Sequence, residues 1–201
     1  ADHHKLRAHF MYSRARDLAL RVVSHTDPNL RQELQRDPKS LAQYLRQKFT
    51  KDDLPGLFWL MMSWTSAINN SPHAEDMTDM AALRVIAEWL IEQDPGYEDA
   101  GAMVFLGGFE SSMPKVFGGN PEKGKAYFER ALKLTERKNH ILLVNYAKLY
   151  CINQQDRKLY LSLLNEIMEA GDQGARFRMT NKVARRRAVR ALARVDEYFV
   201  E

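Results

Sequence analysis

The chain has 201 residues, of which 45% are hydrophobic and 28% are charged. This composition supports a sizeable core in one domain, or at most two small ones. It excludes wholesale disorder and collagen-like or low-complexity chains. The net charge is +4, but residues 176–201 alone hold eight Lys/Arg against three acidic residues, whereas the region 71–122 is acidic. We therefore interpret the basicity as a property of one C-terminal segment.

Signals for helix starts recur along the chain, and strand alternation is nearly absent. Three starts pair an N-cap residue with proline at the first helical position: Asp27-Pro28, Asp37-Pro38 and Asn120-Pro121. Thr50 and Asp53 have the spacing of a capping box. Apolar residues then recur at helical intervals. The sequence predicts helices at about 5–24, 28–36, 39–49, 54–69, 78–93, 97–113, 121–136, 139–153, 156–170 and 175–199.

Most connections between these helices are a few residues long, with longer ones near 70–78 and 113–120, and this arrangement predicts an all-α stack of helical hairpins. The tetratricopeptide pattern of large, small and aromatic residues fits best in the middle of the chain, and weaker copies lie before and after it. The residues that fit are Met103, Leu106 and Gly107 on one helix, and Gly124, Phe128 and Ala131 on the next. The alternative is an ordinary helical bundle whose alanine and aromatic residues pack its core.

We expect a single all-α domain over residues 1–201, built as a tetratricopeptide-like solenoid. Residues 1–53 form N-terminal helices, 54–170 form three degenerate helix pairs, and 175–199 form a capping helix. The stripe expected to dock this cap is Val183, Ala188, Leu192, Val195 and Phe199. A nucleic-acid-binding helix would need Asn or Gln that reach bases or interleaved aromatic residues, and here Phe177 and Tyr198 lie only at the ends. We therefore favour a solvated cap, facing the acidic region or a neighbouring subunit, over a nucleic-acid-binding helix.

The first helix of each pair lines the concave face of a solenoid, and here that face is unusually apolar. Its expected lining residues are Leu57, Leu60, Trp64, Ile68, Val104, Ser111, Ser112, Val144, Lys148 and Cys151. Two interpretations stay open. The N-terminal helices fold over this face and make it core, or it is a groove for a hydrophobic ligand or an apolar partner segment.

The sequence contains no recognisable catalytic or metal-binding constellation. None of the six histidines pairs with an acidic residue at metal-ligand spacing. Cys151, the only cysteine, excludes an intrachain disulfide, and its neighbours indicate a buried thiol rather than a nucleophile. No apolar run approaches the roughly 20 residues that span a bilayer. We expect no enzymatic activity, no metal and no cofactor.

Several segments, taken together in order and spacing, carry a family resemblance. They are TKDDLPGLFW (50–59), SWTSAI (63–68), LIEQDPGY (90–97), GGNPEK (118–123), residues 128–132 and NKVARRRAVRALARVDEYF (181–199). Over nearly the full chain, the sequence resembles the TatT family, the tetratricopeptide T component associated with TRAP (tripartite ATP-independent periplasmic) transporters. The resemblance implies an all-helical, bacterial, non-catalytic protein.

The resemblance also implies partners and a location. Family members are typically periplasmic lipoproteins that form a homotrimer, bind the solute-binding P component and, through a hydrophobic channel, pass on apolar organic ligands. The family's lipid-bearing N-terminal cysteine does not occur here, so we expect a membrane anchor only ahead of this sequence. Arg137-Lys138 stands where the family usually has Gly-Gly. The alternative functions are a stand-alone carrier of a hydrophobic small molecule and a general tetratricopeptide scaffold for protein interactions.

Overall fold

The structure is a computed structural model that describes residues 2–114, 116 and 118–199. It is 77% helical and the described residues form no β-strand, so the all-α prediction is confirmed. The α-helices are α1 Asp2–Val23, α2 Leu30–Glu33, α3 Pro38–Lys48, α4 Leu54–Asn69, α5 Met80–Gln93, α6 Tyr97–Ser112, α7 Pro121–Leu134, α8 His140–Tyr146, α9 Arg157–Glu169, α10 Arg178–Leu192 and α11 Val195–Tyr198. Short 3-10 helices lie at Lys51–Asp53 and Ala74–Asp79, and a π-helix at Ala147–Cys151.

The chain divides into two compact units, unit 1 at Ala1–Pro95 and unit 2 at Gly96–Glu201. Unit 1 contains α1–α5, and unit 2 contains α6–α11. The predicted single domain with three tetratricopeptide-like pairs stays a prediction. Within the described ranges, every helix is too short or too polar to cross a bilayer.

Two of the three predicted N-caps start helices, and the third starts a turn. The Asp37 carboxylate accepts hydrogen bonds from two backbone N–H groups of α3, at 3.0 and 3.1 Å. The Asn120 side chain accepts one from α7 at 3.2 Å. Asp27 instead accepts from the backbone N–H of Asn29 at 2.9 Å. The helix predicted over 28–36 is shorter in the structure, where α2 has only four residues and is flanked by turns.

Unit 1 is built around the long apolar helix α4. Helix α1 packs along one side of α4, and α5 packs against both α3 and α4. The two helices approach closely at Gly56 of α4, where an added Cβ would lie 2.8 Å from a methyl carbon of Val23. A bidentate ion pair between Arg46 and Glu92, with N–O distances of 2.6 and 2.9 Å, joins α3 to α5.

Unit 2 begins with a tightly packed hairpin of α6 and α7. A Cβ built on Gly107 would lie 2.8 Å from the Phe128 ring, and one built on Gly124 would lie 2.9 Å from the Gly107 carbonyl oxygen. The Phe128 ring stacks on Tyr146 of α8 with 4.8 Å between centroids. The glycines thus let the two backbones approach each other closely.

The turn after α7 is left-handed although it contains no glycine. Glu136 and Arg137 have φ values of +50° and +58°, a conformation that non-glycine residues rarely adopt. The Arg137 guanidinium donates two hydrogen bonds to the Glu166 carboxylate, at 2.5 and 2.7 Å. Because the side chain is held in this bidentate pair, the ion pair offsets part of the backbone strain that glycine would avoid.

The C-terminal helix α10 packs against α8 and α9 through small residues, and the predicted stripe is wrong at its start. Ala184, Ala188 and Ala191 are buried, whereas Val183 is 40% exposed. The buried face is therefore shifted by one residue at this end, because alanines allow a closer approach of helix backbones than valine does. Phe199 is buried as expected. The helix also ends earlier than predicted, at Leu192, and the short α11 follows.

Candidate functional site

The four candidate residues on α4 divide into three core residues and one that lines a cavity. Leu57, Leu60 and Ile68 are buried within unit 1. Trp64 is half-buried and forms part of the wall of a cavity of about 490 Å³. Among the α4 candidates, Trp64 is therefore the one whose side chain a ligand can reach in this structure.

The cavity beside Trp64 is lined by charged, polar and aliphatic side chains. Its aliphatic residues include Leu20, Leu34 and Leu41, which are themselves buried. Its charged residues are Arg16, Arg31 and Arg36 together with Asp17 and Asp79. A cavity with this lining can contact an apolar group of a ligand and can also bind its polar or anionic groups.

The indole of Trp64 is held in one orientation by two neighbours. Its Nε1–H donates to an oxygen of Asp79 at 3.1 Å. The Arg16 guanidinium lies over the ring, 5.6 Å from the centroid, and also pairs with Asp17 at 2.9 Å. A cation over an indole face is worth about 0.5–1 kcal/mol at an exposed site. Trp64 is therefore a fixed wall rather than a freely rotating side chain.

The candidate residues on α6, α8 and the π-helix differ in their exposure. Val104 is half-buried, and Val144 is fully buried. Ser111 is buried at the α6–α7 crossing, where its hydroxyl donates to the Gly107 carbonyl at 2.6 Å. The remaining two, Ser112 and Lys148, are exposed.

Ser112 and Lys148 lie in the part of unit 2 where α6 meets the π-helix Ala147–Cys151. The Asn153 side chain donates to the Ser112 hydroxyl at 3.3 Å. The groove expected across the three helix pairs stays a prediction. The Trp64 cavity is a concave site that contains one of its residues.

Cys151 ends the π-helix and is fully buried. Burial raises the pKa of its thiol to about 12, and the nearby Asp156 carboxylate adds to the effect. At pH 8 the thiolate fraction is then about one in ten thousand, and the thiolate is the form that reacts.

We expect Cys151 in the folded protein to react with Ellman's reagent at pH 8 at least about 100-fold more slowly than the same thiol in guanidinium chloride. The substitution Ser112→Cys provides a matched control, because position 112 is exposed and a second thiol there should react at once. Fast, stoichiometric reaction of the single thiol in the unsubstituted protein would contradict the burial of Cys151. A pH series should show the native rate rising up to the limit of folding, because the raised pKa withholds thiolate at lower pH.

The described residues offer no cluster of three or more His, Cys, Asp or Glu side chains that could hold a metal ion. The cavity beside Trp64 contains neither histidine nor cysteine. Its lining supplies an aromatic wall, aliphatic side chains, guanidinium donors and the carboxylates of Asp17 and Asp79.

The sequence pattern identified Trp64 but missed the residues that complete its cavity. Arg16, Arg31 and Asp79 lie in three other elements, and no short motif connects them with α4. The contact between Arg16 and Trp64 joins residues far apart in sequence. Such a contact depends on how α1 packs on α4, and helical periodicity alone does not specify that packing.

The comparison with protein families agrees with the resemblance drawn from the sequence. The family model described as TRAP transporter T-component matches residues 1–199, nearly the whole chain. No curated protein matches the sequence. Because the family match extends over α1–α11 and both units, this chain belongs to the TRAP transporter T-component family.

Proposed function

We propose that this chain is a non-catalytic binding protein of a TRAP-type uptake system that holds the solute-binding P component in the periplasm. The observation that carries this proposal is the family match over residues 1–199. Membership supports association with a TRAP transporter, and the P component is the partner that the resemblance implies. The helical-hairpin packing of α6 and α7 supports a tetratricopeptide-like platform for such a partner.

We further propose that the Trp64 cavity receives the apolar part of an organic ligand that this system handles. The held indole and the leucines of the lining support contact with that apolar part, and the arginines of the lining support a polar or anionic end. A homotrimeric state and a lipid anchor belong to the same proposal, and they rest on the resemblance alone. Analytical ultracentrifugation checks the trimer, and a monodisperse monomer at micromolar concentration would contradict it.

The partner is tested by copurification. The tagged protein and the solute-binding protein encoded with it are expressed together in cells, and the complex is isolated at low and high salt. We expect the solute-binding protein to be retained. If the solute-binding protein is retained at neither low nor high salt, the partner proposal is refuted.

The ligand is tested by native mass spectrometry on protein purified from cells, with two tryptophans of α4 as a matched pair. Trp64→Ala should lower the fraction of ligand-bound protein about tenfold, because it removes an aromatic wall of the cavity. Trp59→Ala should leave that fraction unchanged, because Trp59 is 55% exposed and does not line the cavity. Equal losses in both variants would exclude the Trp64 cavity as the ligand site. A bound apolar ligand without any protein partner would instead indicate a stand-alone carrier.

A further inference from the structure

The outer face of α1 carries a straight row of arginines. The opposite face packs against α4 and buries Leu20 and Val23. Arg7, Arg14 and Arg21 are spaced by seven residues, and this spacing places them on one line along the helix. All three are exposed. The row is therefore a continuous basic line on the surface of unit 1.

Large apolar side chains flank this row on both sides. Phe10 and Met11 are 64% and 63% exposed, which is unusual for side chains of their size. The helical positions place Leu6 and Phe10 on one side of the arginines. They place Met11, Leu18 and Val22 on the other side, and all five residues are exposed.

The arginines of the row have no counter-charge among the residues that the structure describes. None of Arg7, Arg14 and Arg21 forms an ion pair or a side-chain hydrogen bond there. The neighbouring carboxylate of Asp17 pairs with Arg16 instead. A basic row that is flanked by exposed apolar side chains is complementary to an anionic partner with an apolar layer.

We propose that the outer face of α1 binds an anionic phospholipid bilayer surface. Guanidinium groups bind lipid phosphates, often in a bidentate manner, and the flanking side chains enter the region between headgroups and acyl chains. The proposal does not depend on the proposed function, and it requires no lipid attached to the chain.

The size of the face argues against a protein as the occupant. A stable protein interface uses roughly 20–30 residues a side, with charges of both signs at its rim. The outer face of α1 offers five apolar residues and three arginines, in a line along one helix. A bilayer needs no matching pocket and supplies a continuous anionic surface, so a narrow row of a single charge sign suffices.

The test is cosedimentation of the full chain with vesicles of phosphatidylcholine, with and without about one third phosphatidylglycerol. We expect binding to the anionic vesicles that exceeds binding to the neutral ones by at least about tenfold and that weakens as salt is raised. The triple substitution Arg7→Gln/Arg14→Gln/Arg21→Gln should lower the anionic partition coefficient about 100-fold. Phe10→Ser/Met11→Ser should lower it about tenfold.

The matched control removes the same charge from another helix. Lys182, Arg186 and Arg190 of α10 are exposed and make no ion pair within the described residues. Their triple substitution to glutamine should leave vesicle binding within about twofold of the unsubstituted chain, and circular dichroism should show every variant folded. Equal losses in the two triple variants would mean that net charge alone drives binding, and would overturn the proposal. The proposal would also be overturned if the chain does not bind vesicles, or if it binds neutral and anionic vesicles equally. It would be overturned as well if the α1 variants change only the sedimentation coefficient of the protein and leave its vesicle binding unaltered.

Discussion

Gly124→Ala is expected to lower the free energy of unfolding by about 2–3 kcal/mol, although alanine is the better helix former by about 1 kcal/mol. A Cβ at this position would lie 2.2 Å from the Ser111 hydroxyl and 2.9 Å from the Gly107 carbonyl oxygen. The hydroxyl cannot simply rotate away, because it donates to that same carbonyl at 2.6 Å. The α6 and α7 backbones must therefore separate, which also loosens the packing of Phe128 on Gly107.

Urea unfolding followed by circular dichroism measures this change. Gly171→Ala is the matched control, because no atom lies within 4 Å of the Cβ that it adds and its φ is not positive. That variant should stay within about 0.5 kcal/mol of the unsubstituted protein. A stabilised Gly124→Ala variant would mean that α6 and α7 do not cross at Gly107 and Gly124. It would contradict the close packing of these two helices in unit 2.

The α6–α7 hairpin shows why part of this fold can be predicted from the sequence. Gly107 and Gly124 lie on consecutive helices, and two glycines and a phenylalanine at repeat spacing indicate where the helices contact each other. The buried state of Cys151 was predictable for a similar reason, since its sequence neighbours are apolar or aromatic. In both cases the information is local.

Other features depend on contacts that local patterns do not contain. Glu98, Asp99 and Ala100 adopt positive φ at a kink within the first residues of α6, although none is glycine, so no residue type predicts the kink. Asp99 accepts hydrogen bonds from Arg176 at 2.5 Å and from Asn139 at 3.2 Å. The Trp64 cavity is similar, because its lining is assembled from residues of several helices. These are tertiary interactions between distant segments, and they override the intrinsic preferences on which a sequence prediction rests.

The docking of α10 provides the second large effect. Ala184→Gln should destabilise unit 2 by about 3 kcal/mol, because the side chain at 184 is fully buried where α10 meets α8 and α9. Val183→Gln changes the neighbouring residue to the same amide and should cost less than about 1 kcal/mol, because Val183 is 40% exposed. Urea unfolding gives the free energies. Limited trypsin digestion at the arginines of α10 gives an independent measure of whether the helix stays docked.

The variants Ala184→Gln and Val183→Gln distinguish two registers of α10, packed on α8 and α9, that differ by one residue. If the stripe begins at Val183, as helical periodicity of the larger apolar residues predicts, then Val183→Gln is the damaging change and Ala184→Gln is nearly neutral. If it begins at Ala184, as in the structure, the order of the two effects reverses.

The physical difference between the two registers is the distance between helix axes, since alanines at 184, 188 and 191 allow α10 to lie close to α8 and α9. The same register turns Lys182, Arg186 and Val189 outward to solvent. The basic outer face of the helix is thus a consequence of an alanine-lined inner face, and reversed effects of the two glutamine variants would refute both.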